Sequence, residues 1–229
     1  MIPRTLLTLV LASMTYCASH GKPQPSGSPY GNIAFEPSLK NWVVEQQPGG
    51  SVSVEDGALQ IRDKKGCTVW YKHPVEAPVR ISYTVTANST ERISDINCFW
   101  MASDIDHVHD LFAAGHGREG AFAQYDGLQL YYVGYGGNFN ETTRFRRYLG
   151  RGEKPLLPGF DLSEEQYLIQ PDKAYRIVLV ADGKKAQYYR DGELIFEYVD
   201  EKPLKKGWFG FRTVWSHLSI SDLKIESLK

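Results

Sequence analysis

The sequence predicts an all-β fold, a two-sheet β-sandwich or jelly roll with one short helix at most. From Ile33 onward, short runs rich in Val, Ile, Tyr, Phe and Thr alternate with turn residues, the composition that pleated, half-buried segments require. Two Asp-Gly pairs, Asp182-Gly183 and Asp191-Gly192, separate three such runs, and Asp-Gly readily takes the positive φ angles of a tight hairpin. A single stretch, residues 161–168, carries a helix signal, with Ser163 and Gln166 at capping-box spacing and Pro171 soon after. Many short strands and little helix characterise sandwiches and jelly rolls.

The first nineteen residues carry Arg4, an apolar run over residues 6–12, and the small residues Ala18 and Ser19. This is the layout of a secretory signal peptide over residues 1–19, with an apolar run too short to span a bilayer. The protein is expected to be secreted and extracellular, with no membrane partner. Residues 20–31, rich in Pro, Gly and Ser, read as a flexible lead-in. Residues 32–229 read as one domain, since all-β domains commonly reach about 250 residues. The first expected strands cover residues 42–45, 51–54, 58–62, 67–71 and 79–87. Others follow at 94–102, 127–135 and 143–149, a meander at 175–181, 185–190 and 193–199, and a closing pair at 207–213 and 218–225.

With 26 basic and 27 acidic residues the net charge is −1, so no nucleic-acid partner is expected. The expected state is a monomer. The surplus of 14 Tyr, 10 Phe and 5 Trp suits either core or flat platforms for sugar rings. Cys17 falls in the segment expected to be removed, which leaves Cys67 and Cys98 to form one disulfide or to be two small buried hydrophobes. Asn88-Ser-Thr and Asn140-Glu-Thr are glycosylation sequons.

Three clusters carry the candidate chemistry. In residues 127–148, alternation puts Arg144, Arg146 and Tyr148 on one face and Phe145 and Arg147 on the other. Residues 141–154 hold five basic and two acidic groups. That excess suits a ligand carboxylate, which a guanidinium fork matches, or is a solvated strand. In residues 92–106, Asp95, Asn97, Phe99 and Met101 share a face opposite Ile96, Cys98 and Trp100; Trp100 is a sugar platform or a core residue. In residues 207–218, Phe209 and Phe211 point inward, Arg212 to the other face, and Trp215 and His217 follow at a bend. A flexible loop over residues 103–123 carries His107, His109, His116 and Arg118, but no zinc ligand set is complete. No cofactor or catalytic metal is expected; a structural calcium remains open. Gly-x-Ser-x-Gly, phosphate-loop and dinucleotide-fold signatures are absent.

Together, Arg92-x-x-Asp95-x-Asn97-x-Phe99-Trp100-Met101, the run from Tyr131 to Asn138, Thr143-Arg144-Phe145-Arg146-Arg147-Tyr148, Phe211-Arg212-Thr213 and Ser216-His217 resemble a known group. It is an uncharacterised set of secreted concanavalin-A-like domains that often accompany polysaccharide-degrading enzymes. The resemblance implies a jelly roll with a concave carbohydrate face, and supplies no reaction.

The favoured reading is a polysaccharide lyase that cleaves a uronate-containing glycan by β-elimination. Arg144, Arg146, Arg212, Asn97 and Asn138 would stabilise the enolate-like charge. Tyr135 and His217 would move the protons, with Tyr132 and His109 in reserve; Asp95 and Trp100 complete the expected substrate contacts. A non-catalytic, lectin-like module is the main alternative. A glycoside hydrolase needs two facing carboxyls; Asp95, Asp104, Asp106, Glu119 and Asp126 are candidates, but no Glu-x-Asp-x-x-Glu strand pattern appears.

Overall fold

The computed structural model describes residues 31–229. The expected signal peptide, Cys17 and nearly all of the expected lead-in lie outside the described residues. Sixteen strands form two antiparallel sheets: β1 (Gly31–Asn32), β2 (Trp42–Gln46), β3 (Ser51–Glu55), β4 (Ala58–Arg62), β5 (Cys67–Tyr71), β6 (Val75–Glu76), β7 (Val79–Ala87) and β8 (Ile96–Asp104) lead the chain. They are followed by β9 (Leu128–Gly136), β10 (Thr142–Leu149), β11 (Asp161–Leu162), β12 (Ala174–Ala181), β13 (Lys185–Arg190), β14 (Glu193–Val199), β15 (Lys206–Thr213) and β16 (His217–Ser227). The first sheet runs β11-β10-β9-β8-β15-β5-β2, with β6 beside β15; the second runs β14-β13-β12-β7-β16-β4-β3, with β1 beside β16.

The sheets face each other across a core to which both contribute. Trp100, Tyr131, Phe145, Phe209 and Phe211 come from the first; Tyr83, Val85, Ile177, Leu179, Leu218 and Ile220 come from the second. Each such side chain stabilises the fold by about 1.5–3 kcal/mol on burial. The Asp-Gly turns join β12, β13 and β14 as expected, with Asp191 at φ 52 and Gly192 at φ 86.

Residues 161–168 do not form the expected helix. Asp161 and Leu162 pair with β10 and a single 3-10 turn follows at Glu165–Tyr167, without a side-chain cap. Strand pairing across Arg144 and Asp161 outcompetes the capping signal. Met101 also departs from alternation: at φ 55 it sits in a bulge and packs into the inter-sheet core. Cys67 and Cys98 are both buried and unbridged. The strand β15 lies between theirs, and two strand spacings, roughly 9–10 Å, exceed the span of a disulfide. Burial pushes the Cys98 thiol up to about 12.

The outer face of the first sheet is also apolar over much of its area. Trp70, Phe99, Leu130, Tyr132 and Tyr148 form a second buried cluster with Leu111 and Tyr125, which come from the segment between β8 and β9. This segment is not the flexible loop expected from its sequence. Arg118 is buried and donates from Nη1 to Asp104 at 3.0 Å, with Nε 3.5 Å from Glu45. Glu45 in turn accepts from Trp70 Nε1 at 2.9 Å and the Tyr125 hydroxyl at 2.7 Å. Buried ions persist where each has partners of this kind.

Candidate functional site

Strand register sets up the site. Arg212 on β15 stands opposite Asn97 on β8, Asn97 opposite Gly134 on β9, and Gly134 opposite Arg144 on β10. All four lie on the outer face of the first sheet; Arg212 is under the covering loop, and the row emerges toward Gly134 and Arg144. Gly134 has no side chain, and the Tyr132 ring lies across the space that one would fill. Here a cavity of about 350 Å³ opens, lined in part by Asp95, Asn138, Arg144 and Arg146. Tyr132, Tyr148, Phe122 and Lys154 complete most of its wall.

Two of its three cations are already paired. Arg144 grips Asp161 with two parallel bonds, at 2.6 and 3.1 Å, and Lys154 donates to both Asp126 oxygens at 2.6 Å. Arg146 donates from Nη1 to the Lys154 carbonyl at 2.6 Å and has no carboxylate partner among the described residues. Its guanidinium charge is therefore available to a ligand. Arg147 takes the opposite face, as alternation requires, and pairs with Asp200 at 2.9 Å.

Among the described residues, Asp95 is the one carboxyl in the wall. Its backbone is left-handed at φ 59, and its N–H donates to the Gly136 carbonyl at 3.1 Å. Its side chain accepts from Ser94, from Asn97 Nδ2 at 3.1 Å and from Arg92 Nη2 at 3.3 Å. Burial nevertheless lifts its carboxyl above the ordinary value, against the pull of those donors. Asn138 is carried by the four-residue helical segment Gly137–Asn140, which is left-handed at Asn138, Phe139 and Asn140 with φ of 51, 61 and 65. Such backbone costs about 1–2 kcal/mol per residue. Here Asn140 clamps Ile169, accepting from its N–H at 2.8 Å and donating to its carbonyl at 2.9 Å. Both sequon asparagines have engaged amides: Asn88 Nδ2 donates to the His217 carbonyl at 3.2 Å and to Ser219 at 3.0 Å.

The expected site residues thus divide. Asp95, Asn138, Arg144 and Arg146 meet in the cavity wall, whereas Asn97 and Arg212, on the neighbouring strands, do not line it. Asn97 supports Asp95; Arg212 is fully buried and bonds Thr68 and the Gly120 carbonyl, both at 3.0 Å. The rings of Phe122 and Tyr125 stand 4.8 and 5.0 Å from its guanidinium. Trp100 is corrected from platform to core, packed between Tyr131 and Phe145. Tyr135 is likewise a core residue, because β9 turns Tyr131, Val133 and Tyr135 to the inner face. Its hydroxyl donates to the Leu168 carbonyl at 3.1 Å, and burial pushes the phenol up, away from use as a base. His217 belongs to the other sheet. Leu218 and Ile220 take the core side of β16, leaving His217 outside, bonded to Gln60 at 3.0 Å and Thr90 at 3.0 Å. Burial and nearby Arg62 lower its pKa. Of the reserves, Tyr132 is in the cavity wall with its phenol raised by burial, and His109 is exposed and lines none of it. Phe122 was not foreseen, since loop packing rather than any local pattern brings it in, and Lys154 was counted in the basic excess of residues 141–154 without being singled out.

A larger hollow of about 560 Å³ lies on the outer face of the second sheet. Its charges are mostly engaged locally: Lys224 pairs with Glu226 at 2.6 Å, and Arg176 bonds Ser82 and the Asp222 carbonyl. Among the described residues, no group of three His, Cys, Asp or Glu side chains is placed to hold a metal ion.

The family model described as Domain of unknown function (DUF6250) matches residues 61–223, and the chain belongs to that family. No curated protein matches it by sequence. Among solved structures it is similar to a protein of unknown function with a galectin-like fold from Bacillus subtilis, with 20% identity and a TM-score of 0.66 over 83% of this chain and 90% of that one. It is also similar to the carbohydrate-binding module CBM66 from Bacillus subtilis, with 14% identity and a TM-score of 0.58 over 84% and 99% of the two chains. A third is the carbohydrate recognition domain of Emp46p, potassium-bound, at 13% identity and a TM-score of 0.50 over 82% and 88%. At these identities the likeness establishes the fold, a galectin-like and concanavalin-A-like sandwich.

Proposed function

From this family membership and frame, we propose that the chain binds an acidic glycan in the cavity over Gly134. The observation that carries the reading is Arg146, a cation without a carboxylate partner among the described residues, in a sugar-sized wall that also presents Asp95 and Asn138. A uronate carboxylate would take the guanidinium fork of Arg146, and ring hydroxyls would donate to Asp95 and bond Asn138. Two of the similar structures, a carbohydrate-binding module and a carbohydrate recognition domain, support a sugar ligand. An extracellular setting belongs to the same reading and rests on residues 1–19.

Recognition is favoured over cleavage. The lyase favoured on sequence places Tyr135 and His217 at the ligand, and neither lines the cavity; the reserve Tyr132 does, but burial raises its phenol, away from use as a base. A hydrolase needs two facing carboxyls, and Asp95 stands alone there. The test is affinity electrophoresis and calorimetry with polygalacturonate and alginate beside their carboxyl-reduced forms. Product absorbance and reducing ends are followed in parallel. Binding should weaken about tenfold or more on carboxyl reduction or in Arg146→Ala, the scale of one charge-assisted bond, with no new ends. No retardation by any polymer overturns the reading, and accumulating unsaturated product replaces it with lysis.

A further inference from the structure

Two exposed aromatic side chains beside the cavity hold an arginine between them. Phe139 is 71% exposed and Trp215 49%, and the Arg92 guanidinium lies 4.6 and 5.3 Å from their ring centroids. Arg92 is fixed from below, donating from Nη2 to the Val214 carbonyl at 2.7 Å and to Asp95 at 3.3 Å. Its Nε is buried without a partner among the described residues. Both aromatics sit on left-handed backbone, Phe139 at φ 61 and Trp215 at φ 50. The Trp215 bend is pinned by Asp63, which accepts the Trp215 N–H at 2.9 Å and the Lys65 N–H at 3.0 Å. Left-handed backbone at a bulky residue is costly, and each exposed ring forgoes part of its burial. Strain and apolar exposure held together on one arginine mark a contact surface.

We propose that Phe139, Arg92 and Trp215 form a stacking subsite for a further pyranose ring of the glycan held in the cavity, so that the ligand is a chain of two or more sugars. This rests on the glycan reading of the cavity. Continuity argues for the occupant: Arg92 bonds Asp95, and Phe139 follows Asn138, both of which line the cavity. A pyranose presents apolar C–H faces to the rings and a rim of hydroxyls to Arg92, matching this mixed surface of two rings and a guanidinium.

The experiment titrates galacturonate oligomers of increasing length, from the single sugar upward, into the wild type, Arg146→Ala and Phe139→Ala/Trp215→Ala. Melting temperature and sedimentation are measured alongside. Wild-type affinity should rise with length, and the double variant should bind the single sugar unchanged while losing about tenfold on longer oligomers. Binding lost in Arg146→Ala, with length dependence untouched by the double variant, overturns the subsite alone. Length-dependent binding that survives Arg146→Ala but not the double variant overturns the cavity reading and keeps the platform. No binding of any oligomer overturns both. A change of self-association in place of sugar affinity assigns the rings to a protein contact and overturns the subsite.

Discussion

Replacing Gly134 with alanine tests the floor of the cavity. The backbone there is an ordinary strand without a positive φ, so alanine meets no strain of its own. Its new methyl would collide with the Tyr132 hydroxyl and stand 2.8 Å from Cζ. The ring cannot retreat freely, since Phe99, Phe122 and Tyr148 surround it at centroid distances of 5.5, 5.7 and 5.7 Å. Overpacking of this kind costs about 1–3 kcal/mol, and the reduced freedom of the unfolded chain offsets about 0.4–1 kcal/mol of it. A net loss of about 1–2 kcal/mol lowers Tm by about 2–8 °C in a chain of this size. Tyr132 is also driven toward the ligand, so affinity should fall about tenfold or more. Scanning calorimetry and isothermal titration read the two effects. Adding Tyr132→Phe removes the hydroxyl clash but keeps the contact at Cζ, and should restore part of each. Unchanged Tm and affinity in Gly134→Ala would refute the description of the cavity floor.

Arg118→Met strands Glu45 and Asp104 as buried charges and should cost about 3–5 kcal/mol in denaturant unfolding, with weaker glycan binding because the loop that carries Phe122 loosens. Tyr135→Phe should lose about 0.5–1.5 kcal/mol through its bond to Leu168 yet leave glycan affinity at the wild-type value; reduced affinity there would restore a ligand role for the phenol. The raised carboxyl of Asp95 protonates above the ordinary 3.8, so binding should weaken on acidification at a higher pH than a free aspartate sets, and Asp95→Asn should remove that limb of the calorimetric pH profile. His217, lowered from 6.5, is held neutral by the fold. The stability it contributes is present above pH 6.5 and is lost as pH falls through its folded pKa, so urea midpoints of wild type and His217→Gln should converge toward acid.

Strands were legible because alternation is local. The bounds of β4, β5, β7, β13 and β14 coincide with those expected from sequence. The two-residue strands β1, β6 and β11 exist only through distant partners, β16, β15 and β10, and leave no local trace. Site residues were harder for a different reason. The faces of β8 and β9 could be separated, but not ranked as inner and outer, because the loop makes the outer face apolar as well. Phe99 and Tyr132 are buried outside just as Trp100 and Tyr135 are buried inside. His217 lies five residues beyond Arg212 in the chain, yet the Trp215 bend switches it to the other sheet.

The same loop explains why the site is small. An uncovered outer face of this sheet would offer a trough from β2 to β11. Here Leu111 and Tyr125 fill its middle, and the Asp104–Arg118–Glu45 ions hold them down. The polar row that remains, from Arg212 through Asn97 and Gly134 to Arg144, is itself half roofed, because Phe122 stands against Arg212. Only the Gly134–Arg146 end is open enough to receive a sugar. On the proposed reading, a longer glycan would not follow the sheet under the loop, and its next ring would turn outward across Asp95. That direction leads to Arg92 and to the two exposed rings that grip it.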